Sequence, residues 1–64
     1  MKLGKKIRQA RKNAGLTQQE LANKIGVTQA MVSYYEKDIK KQTIEVTKRI
    51  ASVLNVSLDE LVKD

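Results

Sequence analysis

An all-α fold of five short helices follows from three features of the sequence. Apolar residues recur at spacings of three and four, proline is absent, and Ser, Thr, Gly and Asn stand where helices would start and stop. No segment shows the alternation of a strand. Helix one is expected from Leu3 to Ala14, with Leu3, Ile7, Ala10 and Ala14 on one side and Gly15 in the place of a left-handed carboxyl-terminal cap. Helix two opens at Thr17, whose hydroxyl can accept from the amide three residues on while Glu20 reaches back, and it ends at Gly26. Thr28 caps helix three, which is expected to run to about Lys37, and Asp38 to Gln42 form a polar connection. Thr43 caps helix four, on which Ile44, Thr47, Ile50, Ala51 and Leu54 share a face, and Asn55 closes it by taking the left-handed conformation. Ser57 with Glu60 forms a second capping box, opening a short fifth helix that carries Leu58, Leu61 and Val62. With no repeat, low-complexity segment or linker, residues 1–64 read as a single domain.

A chain of 64 residues buries roughly 60% of the surface its unfolded form exposes, so the core is small. There is no cysteine and no histidine, which excludes disulfides and zinc sites of the usual ligand types. Helix packing must therefore supply the stability. No metal, cofactor or small-molecule ligand is expected. The amino terminus lacks the hydrophobic centre of a signal peptide and no apolar run is long enough to span a bilayer, so the expectation is a soluble, cytoplasmic protein without membrane contact.

The net charge of +6 is unevenly spread: residues 1–49 hold 12 Lys or Arg against 4 acids, and residues 50–64 hold one base against three. Lys2, Lys5, Lys6, Arg8, Arg11 and Lys12 form one basic group, and Lys40, Lys41, Lys48 and Arg49 form a second. Between them, residues 18–37 place two short amphipathic helices on either side of a glycine turn. Ala22 is small where two crossing helices approach closely, Gly26 permits a positive φ at the turn, and Leu21, Ile25, Val27, Val32 and Tyr35 supply the inner face. This combination reads as a helix-turn-helix for double-stranded DNA. With Val32 and Tyr35 inward, Gln29, Ala30, Ser33 and Tyr34 point away from the core and are the candidates for contact with base edges. The Gln29 amide suits the N6 and N7 atoms of adenine and the Ala30 methyl suits the thymine methyl, which points to an A·T-containing half-site.

From about Leu3 to Val62 the chain resembles the DNA-binding domain of the Cro and phage-repressor (XRE) family. The resemblance rests on I-R-x-x-R at Ile7 to Arg11, G-L-T-Q-x-E-L-A at Gly15 to Ala22, and I-G-V-T-Q at Ile25 to Gln29. It continues through V-S-x-x-E at Val32 to Glu36 and I-A-x-x-L-x-V-S-x-x-x-L from Ile50 to Leu61. The chain differs from the pattern at Asp38, where glycine is frequent, at Gln42, where proline is, and at Thr47, where a larger aliphatic is usual.

This resemblance implies a compact five-helix, lambda-repressor-like domain that reads DNA as a transcriptional regulator, most often a repressor, in a bacterial or phage context. It carries the outward role onto Gln29, Ala30 and Tyr34. It makes Gln18 the residue that binds a backbone phosphate and braces Gln29, a role suited to the positive end of helix two. Lys37, Lys40, Lys41 and Thr43 would contact the next phosphates. It also implies a partly buried ion pair between Arg11 and Glu36 that fixes the angle of helix three; the alternative is a solvated surface pair of little worth.

Catalysis is disfavoured, since there is no His or Cys, no glycine-rich phosphate loop and no metal-ligand spacing of acids. The rival reading is an antitoxin- or adaptor-type protein-interaction module on the same fold, which should expose aliphatics where this chain places Gln, Ala, Ser and Tyr between lysines. One helix reads few base pairs, so a homodimer on a two-fold operator is expected, joined through the C-terminal region Val53 to Val62. The same apolar residues are also candidates for the core, which would leave a monomer that pairs only on DNA or through a longer parent chain.

Overall fold

Threonine and serine hydroxyls set the starts of most helices, and left-handed residues set several of their ends. The computed structural model describes residues 3–62, as helices α1 (Leu3–Asn13), α2 (Gln18–Ile25), α3 (Gln29–Glu36), α4 (Ile44–Leu54) and α5 (Leu58–Val62). Thr17, Thr28 and Thr43 accept from the backbone amides of Glu20, Met31 and Val46 at 3.0, 3.2 and 3.1 Å. Glu20 and Glu60 complete two capping boxes by accepting from the amides of Thr17 (2.8 Å) and Ser57 (3.0 Å). Gly15, Gly26 and Asn55 take φ of 73°, 80° and 57°, so these turns fold as expected.

The core is built from every helix. Ile7, Leu21, Ala22, Ile25, Val32, Ile50, Ala51, Leu54 and Leu61 form one buried cluster, against which Leu3, Leu16, Val27, Val53 and Val56 pack partly buried. Helix α3 lies on α1 and α2, α2 also packs on α4, and α5 closes the far side against α1 and α4. Burying a Val, Leu or Ile side chain stabilises by about 1.5–3 kcal/mol, and seven of these nine positions hold one, the other two being alanine. Arg49 serves the same framework: it donates to the last carbonyl of α2, at Ile25, at 3.3 Å and pairs with Glu45 at 2.6 Å. It is therefore engaged at the α2 end and does not stand free beside the other bases of its group.

Expectations are corrected at Ala14, Ile44 and Ser33. Helix α1 ends at Asn13 and Ala14 is exposed in the following turn, the inner face being completed by Gly4 and Arg11. Helix α3 ends at Glu36 with Lys37 as its cap, in keeping with the expected end at about Lys37. Ile44 is 74% exposed, because the first residue of a helix projects back beyond its own end and finds no neighbouring helix there. Val62, at the last turn of α5, is also exposed, Leu61 having taken the core position. Ser33 is half-buried, since α3 is short and packed on two neighbours at once.

The start of α1 meets the end of α3. A Cβ on Gly4 would overlap the carbonyl oxygens of Tyr35 and Glu36, so only glycine permits this approach. Asp38, at φ 59°, accepts from the Gly4 amide at 3.0 Å. The left-handed backbone accounts for the family's preference for glycine there, and aspartate tolerates it while capping α1 from 34 residues away. At Thr47 the buried hydroxyl donates to the Thr43 carbonyl at 2.9 Å, which satisfies the polar atom locally. Gln42 differs: its side-chain nitrogen is buried without a partner, alone among the described residues in this respect.

Two outcomes are expected. Gly4→Ala should destabilise the fold by about 1–3 kcal/mol in urea denaturation, since the obstructing atoms are backbone and cannot rotate away. The Thr17 and Ser57 amides and hydroxyls hold the Glu20 and Glu60 carboxyls below their ordinary value of 4.5. Lowered folded-state values stabilise above that value, and the contribution is lost as pH falls through and below it. The thermal midpoint of the parent should therefore fall more steeply with acid than that of a Glu20→Gln, Glu60→Gln double variant.

Candidate nucleic-acid interface

Residues from α1, α2 and α3 meet in one hydrogen-bonded chain that ends at the exposed amino terminus of α3. Arg11 on α1 and Glu36 at the end of α3 form its root. Arg11 donates through Nε to Glu36 Oε2 at 2.6 Å and through Nη2 to Oε1 at 3.2 Å, the two-pronged geometry a guanidinium offers a carboxylate. Its Nη1 donates to the Leu16 carbonyl at 2.7 Å, in the turn before α2. The two side chains are 9% and 3% exposed, so the solvated-surface alternative is set aside.

Gln18, in the first turn of α2, donates through Nε2 to Glu36 Oε1 at 3.0 Å. Its Oε1 accepts from Gln29 Nε2 at 2.8 Å. The expected bracing of Gln29 by Gln18 is thus present, and the further link from Gln18 to Glu36 is one that sequence reasoning missed. Nothing in the spacing of the two residues signals it, since they lie 18 positions apart and meet only when α2 and α3 cross. That crossing depends on Ala22, which is fully buried, and on Gly26, whose positive φ turns the chain.

Around this chain the surface is polar and basic. Gln29, Ala30 and Tyr34 are exposed, Tyr34 at 38%, and Ser33 is half-buried. Arg8, Arg11, Gln18, Glu36 and Lys37 line one hollow beside α3. Lys37, Lys40 and Lys41 are exposed along the segment that leaves α3. Thr43 uses its hydroxyl oxygen to cap α4, which leaves the hydroxyl hydrogen available to an incoming acceptor. Lys2 lies outside the described residues. The site therefore offers hydrogen-bonding groups at the start of α3, with cations in the adjoining hollow and along the segment that leaves α3, a combination suited to base edges and neighbouring phosphates.

Removing one partner of the buried pair strands the other charge. Glu36→Ala should cost about 3–5 kcal/mol of stability in denaturant unfolding. A variant as stable as the parent would show that the pair contributes nothing to holding α3.

Comparison with known proteins places this arrangement in context. The HTH-type transcriptional regulator ImmR of Bacillus subtilis is 36% identical over 61 residues, covering 95% of this chain and 48% of that protein. The chain spans about half the length of ImmR and of a second Bacillus subtilis regulator, YqaE, which is 35% identical over 57 residues. Among solved structures, the P22 c2 repressor in complex with a synthetic operator superposes with a TM-score of 0.91 at 27% identity, over 98% of this chain and 96% of that one. SinR of Bacillus subtilis, in complex with DNA, gives 0.89 at 32% identity over 95% and 98%. The Helix-turn-helix family matches residues 7–61. With the capped α2–turn–α3 unit, the buried ion pair and most of the chain matched, this protein belongs to the XRE-type helix-turn-helix family, to which the phage repressors belong.

Proposed function

We propose that this domain binds double-stranded DNA sequence-specifically as a transcriptional regulator, acting as a repressor, with α3 seated in the major groove. The observation that carries the reading is the chain of hydrogen bonds that presents Gln29 at the exposed start of α3. A groove about 12 Å wide admits one helix, and the residues at its amino end reach the base edges. Gln29, Ala30, Ser33 and Tyr34 form the reading set, led by Gln29, whose amide can donate and accept at once.

Gln18 has one N–H engaged by Glu36 and a second available for a phosphate at the amino end of α2. Lys37, Lys40, Lys41 and the Thr43 hydroxyl take the neighbouring phosphates, fixing register without reading sequence. Two copies on a two-fold operator give the length of site that specificity needs. The C-terminal region Val53 to Val62 is the proposed joint between them, with Val62 as its exposed apolar residue. A cytoplasmic protein that associates with the nucleoid follows from such a target.

Exposed aliphatics favour a protein contact at one further place. Ile39, within the loop after α3, is 61% exposed and Ile44, the first residue of α4, is 74% exposed, and a protein partner or the second subunit of a dimer would cover them. The adaptor reading draws its support from these two residues, but the basic, amide-bearing face of α3 favours nucleic acid.

The test is selection of bound sites from random duplex DNA at physiological salt, with affinity then measured against salt. An enriched motif is expected, with preference at one base pair abolished by Gln29→Ala. Each phosphate neutralised adds about 0.9 to the slope of log affinity against log salt, so Lys37, Lys40 and Lys41 in two subunits predict a slope of roughly −5. No enriched motif, or a flat salt response, would overturn the reading.

A further inference from the structure

Glu36 lies at the opposite end of α3 from Gln29, yet one intermediate side chain connects them. An ionised carboxylate only accepts hydrogen bonds, and Glu36 accepts from Arg11 Nε, Arg11 Nη2 and Gln18 Nε2. Gln18 must therefore turn its NH2 group toward Glu36 and its carbonyl away. The carbonyl, so directed, accepts from Gln29 Nε2 at 2.8 Å. One of the two N–H bonds of Gln29 is consumed, and what remains is one N–H beside an unoccupied carbonyl oxygen.

That remainder distinguishes the purines. In the major groove adenine presents an acceptor at N7 and a donor at N6, whereas guanine presents acceptors at both N7 and O6. One donor and one acceptor match adenine. Guanine would require both N–H bonds of Gln29, and one is already held by Gln18.

We propose that Glu36 is a specificity-determining positioning residue: its charge, passed through the amide of Gln18, fixes the polarity of Gln29 so that adenine is accepted and guanine refused. This rests on the reading of Gln29 as a base contact, and it adds to that reading which group sets the choice. Gln18 then has a role in sequence discrimination as well as in gripping a phosphate.

The charge can be removed while the shape is kept. In Glu36→Gln a single oxygen replaces two. Arg11 makes its shorter contact, 2.6 Å, to Oε2, and the new oxygen is held there. The new NH2 group then occupies the place of Oε1, where it gives up the longer 3.2 Å bond from Arg11 Nη2, and faces Gln18. Gln18 reverses to accept from it and offers its own NH2 to Gln29. Gln29 answers with its carbonyl and has both N–H bonds free for guanine.

The experiment measures affinity for adenine and guanine at the base pair whose preference Gln29→Ala abolishes. The parent should favour adenine on the order of tenfold or more. Glu36→Gln should bring the two purines to within about threefold, or invert them, through a gain for guanine and not a uniform loss on every site. Gln18→Leu leaves Arg11 and Glu36 paired, frees the second N–H of Gln29, and should relax the ratio in the same direction; it decides the matter if Glu36→Gln does not fold. An unchanged adenine-to-guanine ratio in the folded variants overturns the proposal and leaves DNA recognition standing, as does a parent that prefers guanine at that pair. If no pair depends on Gln29, recognition by Gln29 and the relay fall together.

Discussion

The buried pair of Arg11 and Glu36 is the constraint on which the rest of the arrangement depends. Placing both ions out of water is expensive, and their attraction offsets that expense only when geometry and additional hydrogen bonds are good. Both conditions hold: the guanidinium meets the carboxylate with two donors, reaches the Leu16 carbonyl with a third, and Gln18 satisfies the remaining face of Glu36. A pair this saturated tolerates few alternative placements of α3. It joins α1, the turn before α2 and the end of α3, which apolar packing alone would leave freer to slide, since dispersion and hydrophobic burial have no preferred direction.

Stability and presentation are divided between two faces of the same helices. Val32 and Tyr35 hold α3 in the core, while Gln29 and Ala30 stand in solvent a turn or less away. Helix α2 is divided likewise, with Leu21, Ala22 and Ile25 buried and Gln18 half-buried at its beginning. The apolar core does not choose the orientation of any amide at the surface. That choice passes along polar contacts from the Arg11–Glu36 pair, in which the guanidinium only donates and the carboxylate only accepts, to the reversible amides of Gln18 and Gln29.

Much of this was legible in the sequence because capping chemistry is local. Thr17, Thr28, Thr43 and Ser57 accept from amides three residues ahead, so each start could be placed from a handful of neighbouring residues. Periodicity located the buried faces of α2 and α3 for the same reason. It failed at Ile44 and Ala14, where spacing assigns a side of the helix but says nothing about whether a neighbour extends that far. The contacts that escaped are those between residues distant in sequence: Gln18 with Glu36, Arg49 with Ile25, and Gly4 with Asp38. The family resemblance supplied the ion pair and the pairing of the two glutamines, and marked Asp38 as unusual without saying why. The left-handed backbone at that residue is the reason.

The bond from Gly4 to Asp38 gives α1 a beginning that it does not own. Most helices here are started by a hydroxyl of the preceding residue, whereas the first turn of α1 borrows its acceptor from a loop that exists only once α3 is complete. Nucleating a helix is unfavourable when few bonds repay the ordering of its first turn. Assembly of the domain thus helps to secure the opening of α1. Because the lender is the segment carrying Lys40 and Lys41, any displacement of that segment pulls on the start of α1, and the chain's first helix is tethered to the same stretch of backbone that faces the proposed phosphates.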